Sequence, residues 1–272
     1  MITTKNRIQT LFEQKKEDEK ILNLFLTAGY PDPDETVDLM LNLANSGADI
    51  IELGMPYSDP LADGPTIQYA SNEALKHGIR MKRIFEMVKE FRKQSDIPVI
   101  LMGYLNPVLH YGADAFCKDA AEAGVDGLIL PDLPPEDAQV VHDPAIKNGL
   151  DMIFLVAPNT SDKRLEKIDQ LSSGFVYCVS VTGVTGARSG EEVSASVNRF
   201  IDRVRAHVTK NPVFIGFGIK NHDDAMKIAS KADGFIVGSA LIDCIRQAYP
   251  EDGWKENVSN FVRELKYGSG NH

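Results

Sequence analysis

The chain has 272 residues, 43% of them hydrophobic, and a formal net charge of −10. That apolar content supports a sizeable core, the length fits one or two ordinary domains or a single α/β barrel, and scattered acid of this kind argues against a nucleic-acid partner. Cys117, Cys178 and Cys244 are odd in number and far apart, which argues against a disulfide framework or a zinc cluster and leaves them as small buried hydrophobes.

The first segment, MITTKNRIQTLFEQKKEDEK, reads as an amphipathic helix with Ile8, Leu11 and Phe12 on one side. It lacks the apolar run of a signal peptide, and no stretch is long enough to span a membrane, so the expected compartment is the cytoplasm. Short β-branched runs then follow in order: 22–27 (LNLFLT), 49–54 (DIIELG), 98–104 (PVILMGY), 127–132 (GLILPD), 152–157 (MIFLVA), 175–181 (FVYCVSV), 212–218 (PVFIGFG) and 234–239 (GFIVGS). Most are nearly continuous apolar runs, as expected for parallel strands covered on both faces. Helix-like stretches separate them, among them DETVDLMLNLANSG, RIFEMVKEFRKQ, GADAFCKDAAEAG and DDAMKIASKA, several ending at Gly. The segment between the second and third strands is long enough for an additional helical stretch. Eight βα units predict a single (β/α)8 TIM barrel with an extra N-terminal helix, spanning 1–267, with 268–272 as a disordered tail. The runner-up is a doubly wound open sheet.

In a barrel the active site lies at the C-terminal ends of the strands. Glu52 lies near the end of the second strand and shares its face with Ile50. If that face is the interior, the carboxyl sits in an apolar cup, its pKa rises and it can exchange a proton near neutral pH; otherwise it is a solvated or Lys-paired strand end. Asp63, inside PLADGP, fits ordinary Asp-Gly turn chemistry by itself. Together with Glu52 it offers two carboxylates around one substrate. Pro56, Pro60 and Pro65 stiffen that loop, and Asp59 reads as a loop organiser or partner contact.

A second constellation is glycine-rich. The seventh strand ends in Gly216-Phe217-Gly218, the eighth in Gly238-Ser239, and the loop after the sixth carries Gly183, Gly186 and Gly190 with Arg188 nearby. Backbone N–H groups approach an anion closely at glycines, and barrels often bind phosphate on the last loops, so a phosphorylated substrate is expected. G-x-G-x-x-G, Walker A and H-E-x-x-H motifs are absent, and nothing suggests a protein-bound metal. No lysine compels a Schiff-base reading; Lys220, after the seventh strand, either starts a helix or lies near the phosphate. Phe25, Thr27, Met102, Tyr104, Leu155, Tyr177 and Phe217 sit where they could line a pocket, although each alone is more often core.

With these residues placed, the chain closely resembles the tryptophan synthase α-subunit family. The resemblance runs over nearly the whole sequence, most specifically through ELGMPYSDPLADGPTIQ (52–68), supported by FLTAGYP (25–31), LMGYLNP (101–107), SVTGVTGAR (180–188), GFGI (216–219) and VGSA (237–240). It implies a retro-aldol cleavage of indole-3-glycerol phosphate to indole and glyceraldehyde 3-phosphate, without metal or Schiff base. Glu52 and Asp63 match the catalytic pair; Tyr177 and Thr185 match residues that orient substrate or the aspartate. Gly186, Gly218, Gly238 and Ser239 match the phosphate positions, and Phe25, Met102, Leu155 and Phe217 the indole pocket. The resemblance also implies a β-subunit partner in an α2β2 assembly, contacted by the loop bearing Pro56 and Asp59 and by the loop after the sixth strand. It implies no cofactor in this chain, pyridoxal phosphate belonging to the partner. Rival readings are another phosphate-binding barrel enzyme and a non-catalytic activating subunit; the presence of both carboxylates favours neither.

Overall fold

Residues 6–16, 19–179, 190–216 and 218–269 are described in the structure, a computed structural model; the side chains of 190–194 lie outside the description. In chain order the elements are α1 (Arg7–Gln14), β1 (Ile21–Thr27), α2 (Thr36–Ser46), β2 (Ile50–Gly54), α3 (Pro65–Lys76), α4 (Met81–Phe91), β3 (Val99–Met102), α5 (Leu105–Tyr111), α6 (Ala113–Ala123), β4 (Gly127–Ile129), α7 (Gln139–Lys147), β5 (Asp151–Ile153) and β6 (Leu155–Val156). There follow α8 (Asp162–Leu171), β7 (Val176–Val179), α9 (Gly190–His207), β8 (Val213–Gly216), α10 (His222–Ile228), β9 (Gly234–Val237), α11 (Ser239–Ala248) and α12 (Trp254–Tyr267). The extra stretch before the third strand is two helices, α3 and α4.

All strand pairs are parallel, in the order β5-β4-β3-β2-β1-β9-β8-β7-β6. The strand expected at 152–157 is divided at Phe154. Its first half pairs with β4 and its second with β7, while the Phe154 carbonyl accepts from the Tyr177 amide at 3.0 Å. One turned stave thus joins the two ends of the sheet, and the eight staves form a TIM barrel. Several strands are shorter than expected: 98–104 contracts to Val99–Met102 because Tyr104 is already the N-cap of α5, and 127–132 contracts to Gly127–Ile129. The eighth stave stops at Val237, and Ser239 belongs to α11.

The near-continuous apolar runs follow from burial on both faces: all seven residues of β1 are buried. Inward-facing Ile21, Ile50, Ile100, Ile129, Ile153, Phe175, Phe214 and Ile236 fill the lower barrel. Helix α1 closes the floor beneath them. Its Ile8 is fully buried in this layer, Leu11 and Phe12 pack on it, and Phe12 meets Phe214 edge-on at 5.8 Å. Outward-facing residues pack against the surrounding helices. Among the described residues no helix is long and apolar enough to cross a membrane.

Three aspartates brace the N-terminal rim by one rule: each precedes a strand and accepts the amide at the start of the neighbouring strand. Asp49 takes Leu22 N–H at 2.7 Å, Asp126 takes Val99 N–H at 2.9 Å, and Asp233 takes Val213 N–H at 2.9 Å. Each also meets a cation: Lys266 at 2.5 Å, Arg92 at 2.6 Å with Arg7 at 3.1 Å, and Arg205 at 2.9 Å, respectively. Arg92 is the most deeply enclosed of these cations, its guanidinium pushed down to about 10 by burial. Asp126→Ala would strand that charge and orphan the Val99 amide, so the free energy of unfolding should fall by about 3–5 kcal/mol. Urea denaturation reads this as a lowered midpoint at unchanged slope; an unaltered midpoint would show that the bracing is ornamental.

Candidate functional site

Glu52 is the middle residue of β2, in register with Phe25 of β1 and Ile100 of β3. Two residues past the inward-facing Ile50, it points into the barrel and is fully buried. The Asn23 side-chain amide donates to Oε1 at 2.5 Å, whereas Oε2 has no hydrogen-bond partner among the described residues. Burial raises the carboxyl from the usual range to about 8, against a smaller lowering by Asn23. No cation pairs with it among the described residues, so the neutral acid is its resting form at neutral pH. The Tyr177 hydroxyl, which senses the Glu52 charge, is pushed well above its ordinary value, chiefly by burial, and stays protonated. Gly216 gives that phenol its room: a Cβ there would lie 2.6 Å from the Tyr177 hydroxyl.

Asp63 reaches the same space from the loop after β2. Its loop leads directly into α3, where Pro65 takes the first helical position and needs no amide donor. The Asp63 carbonyl accepts from the Gln68 side chain at 2.9 Å, which ties the loop to the helix. The carboxyl is half-buried; burial pushes it up and a hydrogen bond from Tyr104 pulls it down. Tyr104 is itself positioned by the Ala62 amide, which donates to its oxygen at 3.0 Å, and by its ring, tilted against Tyr57 at 5.4 Å. Its hydroxyl is pushed up to about 12, chiefly by burial, so it remains a donor. A half-buried carboxyl with a phenolic donor ionises more readily than a fully buried one with an unpaired oxygen. The two acids are therefore set apart by their surroundings.

Glu52 and Asp63 line one cavity of about 780 Å3 at the C-terminal ends of the strands, together with Phe25, Met102 and Tyr177. Its other wall contains Gly218, Gly238 and Ser239. Gly218 has φ +53, a conformation that favours glycine. Gly238 caps α11 and Ser239 heads it, so the unpaired amides and positive end of that helix face the same cavity. Cys244 also lines it.

Not every expected residue joins this assembly. Leu155 is partly buried against the interior layer and is not among the residues lining the cavity. Thr185, Gly186 and Phe217 lie outside the described residues, as do Gly183 and Arg188. Pro56 lines a separate cavity of about 490 Å3 with Tyr57, Met81, Pro107 and Tyr111. Asp59 is exposed and accepts from Ser58 Oγ at 2.6 Å. Asn23 was not foreseen, although a lone amide inside LNLFLT, on the face of Phe25, was a readable signal. The tie from Tyr104 to Asp63 had no signal, because it depends on how the loop returns.

The family model described as tryptophan synthase alpha chain matches residues 11–268. The tryptophan synthase alpha chain of Geotalea uraniireducens is 48% identical over 264 residues, covering 97% of each chain. That of Caldanaerobacter subterraneus subsp. tengcongensis is 47% identical over 262 residues, covering 96% of this chain and 98% of the relative. A crystal structure of tryptophan synthase subunit alpha from Legionella pneumophila superposes with TM-score 0.88 at 42% identity, covering 97% of this chain and 98% of that one.

The Glu52 environment has a thermodynamic signature. Between about pH 4.5 and 8 the folded chain keeps a proton that the unfolded chain has released. Stability therefore falls as pH rises through that window, by at most about 1.4 kcal/mol per pH unit, and levels off above it. Glu52→Gln removes the titration, so the difference in unfolding free energy in favour of the variant should widen from pH 5 to 8. A difference that stays constant with pH would mean that Glu52 is not buried as an acid.

Proposed function

Because the chain belongs to the tryptophan synthase alpha chain family, a lyase of tryptophan biosynthesis, we propose that Glu52 and Asp63 are the acid–base pair of its α reaction, the cleavage of indole-3-glycerol phosphate. One observation carries the assignment: a fully buried glutamic acid, with one oxygen unpartnered and no cation beside it among the described residues, shares a cavity with Asp63 and a glycine-lined helix start.

The chemistry asks for two protons to move. Glu52, protonated near neutral pH, gives its proton to indole C3, and the ring becomes an electron-accepting iminium. The ionised Asp63 faces the indole N–H and stabilises the positive charge as it develops; Tyr104 holds that carboxylate in place. Glu52, now a carboxylate, takes the proton from the hydroxyl on the side-chain carbon bonded to C3. The O–H electrons become the aldehyde C=O, the C3–C bond pair returns to the ring, and indole and glyceraldehyde 3-phosphate separate. Glu52 ends protonated, ready for the next turn. Phe25 and Met102 line the indole end, the Tyr177 hydroxyl orients the reacting side chain, and the amides at Gly218, Gly238 and Ser239 receive the phosphate. We include Leu155, Phe217, Thr185 and Gly186 in the same roles by family resemblance.

The reading extends to a partner. The family implies a β subunit, and we propose an α2β2 assembly in the cytoplasm, with pyridoxal phosphate resident in β and no cofactor in this chain. Leu61 supports a partner-facing role for the loop after β2: it is 94% exposed two residues before Asp63. The start of the same loop, Pro56 and Tyr57, lines a groove with Pro107. A partner that covers Leu61 would order the loop and fix Asp63.

Two measurements test this. Glu52→Gln should lose at least about a hundredfold in indole release while still binding substrate, and Asp63→Asn should lose most of its turnover; near-normal rates in either would remove that residue from the chemistry. Added purified β subunit should raise the indole-forming rate of the chain, and an unchanged rate at saturating β would reject the coupling.

A further inference from the structure

The described part of the phosphate end, as assigned above, is made of neutral donors: the backbone amides at Gly218 and Gly238 and the Ser239 amide and hydroxyl. The ligand end carries about −1.5 to −2 charges at pH 7. The surrounding wall is acidic, since Asp63 and Asp243 line the same space. Asp243 sits on the first turns of α11, close to the amides that would receive the anion, and accepts from Thr66 at 3.3 Å rather than from a cation. Among the described residues, neutral donors facing a dianion beside two carboxylates leave the charge unbalanced.

One described residue of the lining carries the opposite sign, Lys220. It follows Gly218 by two residues and precedes Asn221, whose side chain caps α10 by accepting the Asp224 amide at 2.9 Å. That cap fixes the backbone from which the lysine projects. The side chain is exposed and borders both the main cavity and a neighbouring one of about 390 Å3 that also holds Asp223 and Glu264. Among the described residues it forms no salt bridge with either acid, nor any hydrogen bond.

The geometry points to Lys220 as the counter-charge of the phosphate: a positioning residue whose ammonium swings over the rim between Gly218 and Ser239 and selects the phosphorylated form of the substrate. This rests on the phosphate reading of that rim. A wet rim keeps the effect moderate and sensitive to salt. Its contribution is the same in the ground state and in the transition state, because the phosphate does not change charge during the reaction, so it acts on KM and not on kcat.

The test measures sn-glycerol 3-phosphate binding by calorimetry and the KM and kcat of indole release, for the wild type, Lys220→Met and Lys220→Arg. Expected for Lys220→Met is a rise of about five- to twentyfold in both the glycerol phosphate Kd and KM. Turnover at saturation and the affinity for phosphate-free indole should be retained, and the weakening of Kd between about 20 and 200 mM salt should flatten. Lys220→Arg keeps the charge and should stay within about twofold of wild type. Glycerol phosphate bound equally well by wild type and Lys220→Met, or a fall in kcat at constant KM, overturns the role of Lys220 and leaves the cradle standing. A wild type that does not bind glycerol phosphate overturns the cradle itself and this inference with it.

Discussion

A carboxylic acid with no counter-charge among the described residues, in a barrel lined by hydrocarbon, sets the terms for everything around it. Had β2 placed Glu52 beside a lysine, the side chain would be an ordinary carboxylate with no proton to give. Asn23 supplies the alternative: a neutral amide that fixes one oxygen without holding the group ionised. The second oxygen stays bare toward the cavity. The fold can carry this unfavourable group because the layers beneath it, isoleucines and stacked Phe175 and Phe214 at 4.3 Å, are apolar and continuous.

Three acids at the N-terminal rim and two at the C-terminal rim are treated in opposite ways. At the N-terminal rim Asp49, Asp126 and Asp233 are saturated with amides and cations, so each acid ties one strand to the next. At the C-terminal rim Glu52 and Asp63 have, among the described residues, only neutral donors, Asn23 and Tyr104. Residues of the same class brace the structure at one end and remain available for proton transfer at the other. This division matches the general assignment of stability to the lower face of such barrels and chemistry to the upper face.

Much of this was legible in the order of residues. Continuous apolar runs such as DIIELG and PVILMGY pointed to parallel strands, and the shared parity of Ile50 and Glu52 put the two on one face; that this face is the interior came from the closed barrel. Strand ends were less legible, because a residue such as Tyr104 or Ser239 has the same composition whether it finishes a strand or opens a helix; hydrogen bonding to neighbours decides. The break at Phe154 was hidden for a related reason. MIFLVA is uniformly apolar, and the need to face β4 and β7 in turn arises only when the ring closes. The bond from Tyr104 to Asp63 spans 41 positions and depends on a loop path that no local pattern encodes. The pair of carboxylates was visible as composition; what separates their proton affinities was visible only as surroundings.

Helix α1 has a consequence beyond packing. By seating Ile8, Leu11 and Phe12 under the strands it seals the floor of a barrel whose lower half is already packed. A fragment lodged deep against Glu52 therefore has no way out through the lower end, and its escape is hostage to whatever stands above the C-terminal rim.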